Sequence, residues 1–409
     1  MSTHDAYFCE LQAALQAEGE LLPRLIVDLD RLDHNIDQAV AFAARAGKTL
    51  RLVEKSLPSF ELLDYIARRA GTRRLMSFHQ PFLTLDAQHW PDADILLGKP
   101  MPVALVERFY HSLTGAFDPQ RQLQWLIDSP ERLQQYLVLA QQRGIRLNVN
   151  LELDVGLHRG GIAQGEAGTR MLRELLRTIE QHPQHLAFTG FMGYEPHVAM
   201  LPRLFGAPER LLAQAMATYQ ARVEQVQREV PALWAQALAA VGQPPLILNT
   251  AGSPTYRLHE QEQVSNELAL GSGLLKPTHF DLPSLAGHLP ALFVATPVLK
   301  TADALTLPGA GPLPAFVSRL AGRGKQVLFI YGGNWLADPV SPAGLTASKL
   351  YGTSSNQQVL LAPADTALQV DDLVFMRPTQ SEAVLLQFGD LLAVRAGRVV
   401  GHWPVFANQ

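Results

Sequence analysis

The stretch TLRLVEKSLPSFELLDYIARRAG, residues 49–71, decides how the rest of the chain is read. A short apolar run ends at Lys55 and leads directly into a segment with helical periodicity, one strand–helix unit of an α/β fold. The same unit recurs along the chain. After RLIVDLD come LRLVEK, RRLMSF, ADILLG, QWLID, LNVNLELD, FTGFMGY, LILNT and ELALG, with helix-patterned segments such as RLDHNIDQAVAFAARAG and GTRMLRELLRTIEQHP between them. Another, SPERLQQYLVLAQQRG, opens with Ser129 as N-cap before Pro130. Continuous apolar strands covered by helices form a parallel sheet, and about eight such units predict a closed (β/α)8 barrel of the TIM type rather than an open sheet. No GxGxxG follows a strand, which argues against a dinucleotide fold.

Beyond Leu289 the pattern changes. ALFVATPVLK, QVLFIYGG, DLVFMRP, AVLLQF and LLAVRAGRVVGHWPVF are strand-like runs separated by Gly and Pro, with little helical periodicity. The expected organisation is a barrel domain over residues 1–290, including an N-terminal helix and strand, followed by a mostly β domain over 291–409.

Composition narrows the function. At 409 residues and 47% hydrophobic the chain can bury a large core; 18% charged residues, a net charge of −4 and no basic block point away from nucleic acid and anionic membranes. A small-molecule ligand is the better default. The single cysteine, Cys9, allows no intrachain disulfide, the N-terminus lacks signal-peptide character, and no apolar run reaches membrane-spanning length, so the expected location is the cytoplasm.

A barrel carries its chemistry at the C-terminal ends of its strands, so Lys55 would point into a substrate-binding mouth. A partly desolvated lysine there can form a Schiff base with a carbonyl, most familiarly that of pyridoxal 5′-phosphate. The rival is Lys99 in ILLGKPM, and the bland alternative is a solvated strand-end cation. LELDVGLHRGGI sets Asp154, Gly156, His158 and Arg159 at another strand end, with Gly160 and Gly161 permitting close backbone approach; an arginine there suits an anionic oxygen or faces solvent. GFMGYEPHVA follows the next strand with Tyr194 and His197, where a phenol could hydrogen-bond a ring nitrogen and an imidazole could act as acid, base or structural histidine. NTAGSPTYRLH and LGSGLLKP are small-residue turns after the last two strands, which makes Gly252, Ser253, Thr255, Gly271 and Ser272 candidates for a phosphate cradle.

Together these segments resemble the fold-type III pyridoxal-phosphate enzymes, the alanine racemase-like superfamily, and within it the D-threonine aldolase and D-serine dehydratase group. The resemblance spans nearly the whole chain. It places the cofactor lysine on Lys55, matches a DxGxxRxG element to Asp154–Gly161, a GYxGH element to Tyr194–His197 with Pro196 in place of the glycine, and a Gly-Ser/Thr phosphate turn to Gly252–Thr255. It implies Arg159 near the cofactor phenolate, Tyr194 near its ring nitrogen, and a homodimer with shared active sites.

The departures are equally specific. The group's RPHxKTHK reads RLVEKSLPS here, and its metal-binding histidine and cysteine or aspartate fall on Gln380 and Glu382 of RPTQSEAV. A glutamine amide is a poor substitute for imidazole on zinc or manganese, so a divalent metal is left open. IYGGNWL resembles the GYADGW of alanine racemases, whose tyrosine is the second base; on that match the tyrosine is Tyr331, which could otherwise be a core or interface residue. The leading expectation is a lyase, aldolase or dehydratase, acting on a small D-β-hydroxy amino acid such as D-threonine or D-serine, with Lys55, His197, Glu382 or Tyr331 as the acid–base groups. The alternatives are a racemase or epimerase using Lys55 and Tyr331, and a pyridoxal-phosphate-binding protein without robust turnover.

Overall fold

The structure, a computed structural model, describes residues 3–306, 309, 312–314, 316, 325–366 and 368–406. Eight parallel strands close into a barrel: β2 (Thr49–Val53), β3 (Arg74–Ser77), β4 (Asp94–Leu97), β5 (Leu123–Ile127), β6 (Leu147–Leu153), β7 (Leu186–Gly193), β8 (Ile247–Thr250) and β9 (Glu267–Leu270). Every residue of β5, β7, β8 and β9 is buried, as strands covered on both faces must be. The barrel closes where β2 pairs with β9, Thr49 opposite Glu267 through Leu52 opposite Leu270. Across that seam Arg51 and Glu267, both fully buried, form a two-pronged ion pair at 2.5 and 3.0 Å, and Arg51 also donates to the carbonyls of Leu75 and Asp94 at 2.8 Å. A buried guanidinium is tolerated only when its donors are met in this way.

The outer helices start and stop where their sequences dictate. Ser59 caps the helix Phe60–Ala70, which ends on Gly71 in the left-handed region at φ 64°; Ser129 caps Pro130–Arg143, which ends on Gly144 at φ 63°. The serine caps fix where each mouth loop ends, and the glycines start the loops at the opposite face of the barrel.

The second layer is a nine-stranded sheet. Its strands are β1 (Arg24–Asp28), β10 (Leu292–Ala302), β11 (Lys325–Tyr331), β12 (Ala337–Ser341), β13 (Thr346–Ala347), β14 (Gln357–Pro363), β15 (Leu373–Pro378), β16 (Asp390–Arg395) and β17 (Arg398–Pro404). The order β13-β14-β11-β10-β1-β16-β17, with β15 joining β10 to β12, puts β1 inside the sheet, antiparallel to β10 and parallel to β16. Phe8, Leu11 and Leu15 of the helix Thr3–Ala17 pack on Ile26, Phe293, Phe375 and Leu392 of that sheet. A boundary at residue 290 therefore follows the chain and not the sheets: the N-terminal helix and strand, assigned from sequence to the barrel domain, are built into the second layer. Leu25, Ile26 and Val27 are each fully buried, and an apolar run buried on both faces reads the same whichever sheet it enters.

One glycine is essential to barrel closure. Pairing of β6 with β7 runs Val149 opposite Phe188 and then Asn150 opposite Gly190, so Thr189 is an extra residue, and Gly190 follows it at φ 133°. A Cβ at Gly190 would lie 1.8 Å from the carbonyl oxygen of Ile247 on β8. Gly190→Ala is expected to destabilise the fold by about 3 kcal/mol or more, because backbone conformation and a backbone contact fail together. Urea unfolding followed by circular dichroism will show a clearly lowered midpoint; a midpoint equal to that of the wild type would contradict this reading of the β7–β8 contact.

Candidate active site

The mouth of the barrel holds a pocket into which Lys55, Arg159, Tyr194, Ser253, Ser272 and Glu382 converge. Strand β2 stops at Val53, and Lys55 sits in the single 3₁₀ turn Glu54–Ser56 that follows rather than on the strand itself. Its amine lies 4.6 Å from the centre of the Phe78 ring and 4.0 Å from Glu382 Oε1. Phe78 can lie there because residue 98 is glycine; a Cβ would come within 2.2 Å of the ring. Glu382, on the short helix Ser381–Leu385, accepts hydrogen bonds from Ser56 Oγ at 2.6 Å and Ser272 Oγ at 3.1 Å.

The two small-residue turns meet at one wall. Ala251, at φ 66°, turns the chain sharply after β8, a strained conformation for a residue with a side chain. Gly252 lies under the Tyr194 ring, where a Cβ would come within 2.5 Å, and a Cβ on Gly271 would lie 2.8 Å from Val53. Ser253 Oγ accepts from the amides of Gly271 and Gly273 at 3.3 and 2.8 Å and locks the turns together. Thr255 is placed differently: it is fully buried, outside the pocket lining, and its hydroxyl donates to Glu195 Oε1 at 2.6 Å. Glu195 also accepts from the amide of Ala251 at 3.3 Å and faces His259 Nε2 at 3.2 Å. Burial opposes the charge on His259, but Glu195 and Glu262 outweigh it and raise the imidazole to about 9. Sequence reading passed over Glu195 and His259, which brace the turn from behind.

The Arg159 loop is shaped by Asp154. Its Oδ1 accepts from the amides of Gly156 and His158 at 3.0 and 2.9 Å, and Oδ2 faces His158 Nδ1 at 3.0 Å. Burial works against this carboxylate, yet those bonds hold it below its ordinary value. His158 thus serves the loop, with its side chain largely exposed, while the guanidinium of Arg159 lies 5.5 Å from the centre of the Tyr194 ring. Burial, then the charge of Glu195, pushes the Tyr194 phenol up to about 12, so it stays protonated at neutral pH. His197 lies outside the pocket lining, with Nε2 3.2 Å from where a Cβ of Gly156 would stand; burial lowers its pKa.

The remaining sequence candidates stand apart from the pocket. Lys99 is exposed and does not line it. Tyr331 ends β11 with 39% of its surface exposed, also away from the lining. Gln380 is exposed and its amide meets His279 Nδ1 at 3.3 Å, whereas Glu382 is turned to the serines. Among the described residues no group of three or more His, Cys, Asp or Glu side chains could hold a metal.

Behind Lys55 lies a feature with no sequence expectation. Glu54 is fully buried, with Oε2 accepting from Ser77 Oγ at 3.2 Å and Oε1 unpartnered; Asp86, on the helix Gln80–His89, is fully buried with both oxygens unpartnered. Burial raises both carboxyls well above the carboxylate range, and for Asp86 the charge of Glu54 adds to it.

Fold and site together define a β/α barrel with a lysine at the end of its first strand and a β layer built on to it. The chain belongs to the family described as "Alanine racemase, N-terminal domain", which matches residues 27–278. That fold family binds pyridoxal phosphate. Among solved structures the chain is similar to D-threo-3-hydroxyaspartate dehydratase from Delftia sp. HT23, with 17% identity, 95% of this chain and 98% of that one covered, and a TM-score of 0.69. It is also similar to D-threonine aldolase from Filomicrobium marinum, with 16% identity, 94% and 96% covered and a TM-score of 0.66. Alanine racemase from Bacillus anthracis with bound L-Ala-P shows 14% identity, 94% and 98% covered and a TM-score of 0.66. At these identities the likeness is one of fold. No curated protein sequence matches.

The Glu54–Asp86 pair makes stability depend on pH. Carboxyls with raised folded-state pKa bind protons that the unfolded chain has already released above about pH 4. Their contribution is therefore complete at acid pH and declines as pH rises toward and through neutrality, by about 1.4 kcal/mol per pH unit for each proton involved. Glu54→Gln should flatten that decline, as read from urea midpoints between pH 5 and 8. An identical slope in wild type and variant would contradict it.

Proposed function

We propose that the chain is a pyridoxal-phosphate-dependent lyase acting on a small D-β-hydroxy amino acid. The observation that carries the reading is that the Lys55 amine lines the same pocket as two glycine-containing turns that bear serine hydroxyls, Gly252–Ser253 and Gly271–Ser272. The residues fit such a cofactor. Lys55 offers the amine, and Ser56 and Ser272 already hydrogen-bond an anionic group, the carboxylate of Glu382, as they would a phosphate. The glycines leave no Cβ between the Tyr194 ring and the turn.

On this reading Lys55 would hold the cofactor covalently, while Gly252, Ser253, Gly271 and Ser272 would take its phosphate. Arg159, steered by Asp154 through the loop, would neutralise an anionic oxygen, and Tyr194 would serve as a fixed hydrogen-bond donor because its phenol remains protonated. Bound there, pyridoxal phosphate supplies an electron sink that lets a bond at the substrate Cα break. Lys55 would also be the base on one face of the substrate Cα. The lyase choice is supported by the aldolase and dehydratase group that the barrel motifs resemble and by the fold likeness to proteins of those names. No divalent metal is part of the proposal. We take the working state to be a homodimer in the cytoplasm without nucleic-acid or membrane partners; among the described residues no helix is long and apolar enough to cross a membrane.

A racemase is the second reading, favoured by one observation: Tyr331 is an exposed tyrosine at a strand end, open to a second copy of the chain. Incubation with a panel of D-β-hydroxy amino acids should yield glycine and aldehyde, or a keto acid and ammonia, and Lys55→Ala should lower that rate by at least about a hundredfold. Deuterium entering Cα from solvent with inversion, without lyase products, would overturn the lyase in favour of the racemase, and in that case Tyr331→Phe should abolish inversion. Cofactor binding with neither chemistry would leave only a binding protein.

A further inference from the structure

The turn hydroxyls that would take a phosphate are not free. Ser272 Oγ, in the turn after β9, lies 2.9 Å from Ser56 Oγ and 3.1 Å from Ser381 Oγ, and both Ser56 and Ser272 donate to the same oxygen of Glu382. The other oxygen, Oε2, accepts from Ser381 Oγ at 3.2 Å. Three serines from three separate segments thus converge on one carboxylate that lines the pocket, with Lys55 as its only cation within ion-pair distance among the described residues. The Glu382 side chain keeps about a third of its surface exposed, at 32%, so it has room to leave. An anion and a carboxylate cannot share two hydroxyl donors, and two negative charges a few ångströms apart repel strongly in a partly desolvated pocket.

Resting on the cofactor reading above, we propose that Glu382 is an internal competitor for the phosphate cradle: its carboxylate takes the Ser56 and Ser272 donors and must give them up when a phosphate-bearing ligand binds. Glu382 is then the residue that sets how tightly this site takes such a ligand. The serines serve as donors to either anion, so a phosphate gains only the difference between its own interactions and those of the carboxylate it expels. Cofactor is held less firmly than the cradle alone would hold it, and loading and release are coupled to the movement of one side chain facing Lys55. The same carboxylate faces the Lys55 amine at 4.0 Å, so its displacement also frees the amine for its own chemistry.

The test is a titration of the full-length protein with two ligands, inorganic phosphate read by calorimetry and pyridoxal phosphate read by visible absorbance, in wild type, Glu382→Gln and Glu382→Ala. Neutral glutamine keeps the size of the side chain and removes the charge; alanine removes the competitor altogether and serves if the glutamine variant misfolds. Both variants are expected to bind each ligand at least about tenfold more tightly than wild type. Equal affinity in wild type and variants, with pyridoxal phosphate still attached to Lys55, would overturn the competitor role and leave the cofactor reading standing. Weaker binding in the variants would also overturn it, making Glu382 a ligand of the bound group. Binding of neither ligand by any of the three proteins would remove the cofactor reading and this inference together.

Discussion

The seam between β2 and β9 is the constraint on which the site depends. Closing the barrel there sets Leu52 opposite Leu270, which brings the turn carrying Lys55 alongside the turn carrying Gly271 and Ser272. The seam is pinned from inside by the Arg51–Glu267 pair, with Arg74 Nη1 and Asn249 Nδ2 adding donors to the same carboxylate at 2.9 and 2.8 Å. A buried ion pair of this kind adds little net stability against an apolar substitute, but breaking one side of it leaves an unpaired charge in the core, so it is strict about register. A slip of one residue at this seam would turn Lys55 away from its pocket.

From that seam outward, the site is built from parts that act on one another. Gly252 is needed because Tyr194 lies over it, and Tyr194 is flanked by Glu195, which braces the turn through the Ala251 amide and the Thr255 hydroxyl. Thr255 therefore holds the turn in place and does not line the pocket. Asp154 has the corresponding role for Arg159, spending its hydrogen bonds on the loop backbone.

Much of this could be read in the sequence, for reasons that also explain what could not. Parallel strands buried on both faces give continuous apolar runs, so the barrel and the strand-end positions of Lys55, Arg159 and Tyr194 were legible. The destination of β1 was not: its partners Val294 and Leu391 are hundreds of residues away, and nothing local names them. Buried polar groups were largely missed. Glu54 shows in the sequence only as an acid interrupting an apolar run, and its neighbour Asp86 looks like any exposed helical acid until the helix is packed against the turn. The resemblance puts Glu382 at a metal position that Gln380 leaves open, and among its acid–base candidates; its hydrogen bonds to Ser56 and Ser272, more than 100 residues away, follow from no spacing in the sequence.

On the proposed reading Lys55 holds a carbonyl cofactor in this mouth. The most direct measurement is borohydride reduction of the protein loaded with pyridoxal phosphate, followed by peptide mapping by mass spectrometry. A visible band that disappears on reduction is expected, with a single pyridoxyl group on the peptide containing Lys55. A label on Lys99, or no label on a protein that stays colourless, would contradict it.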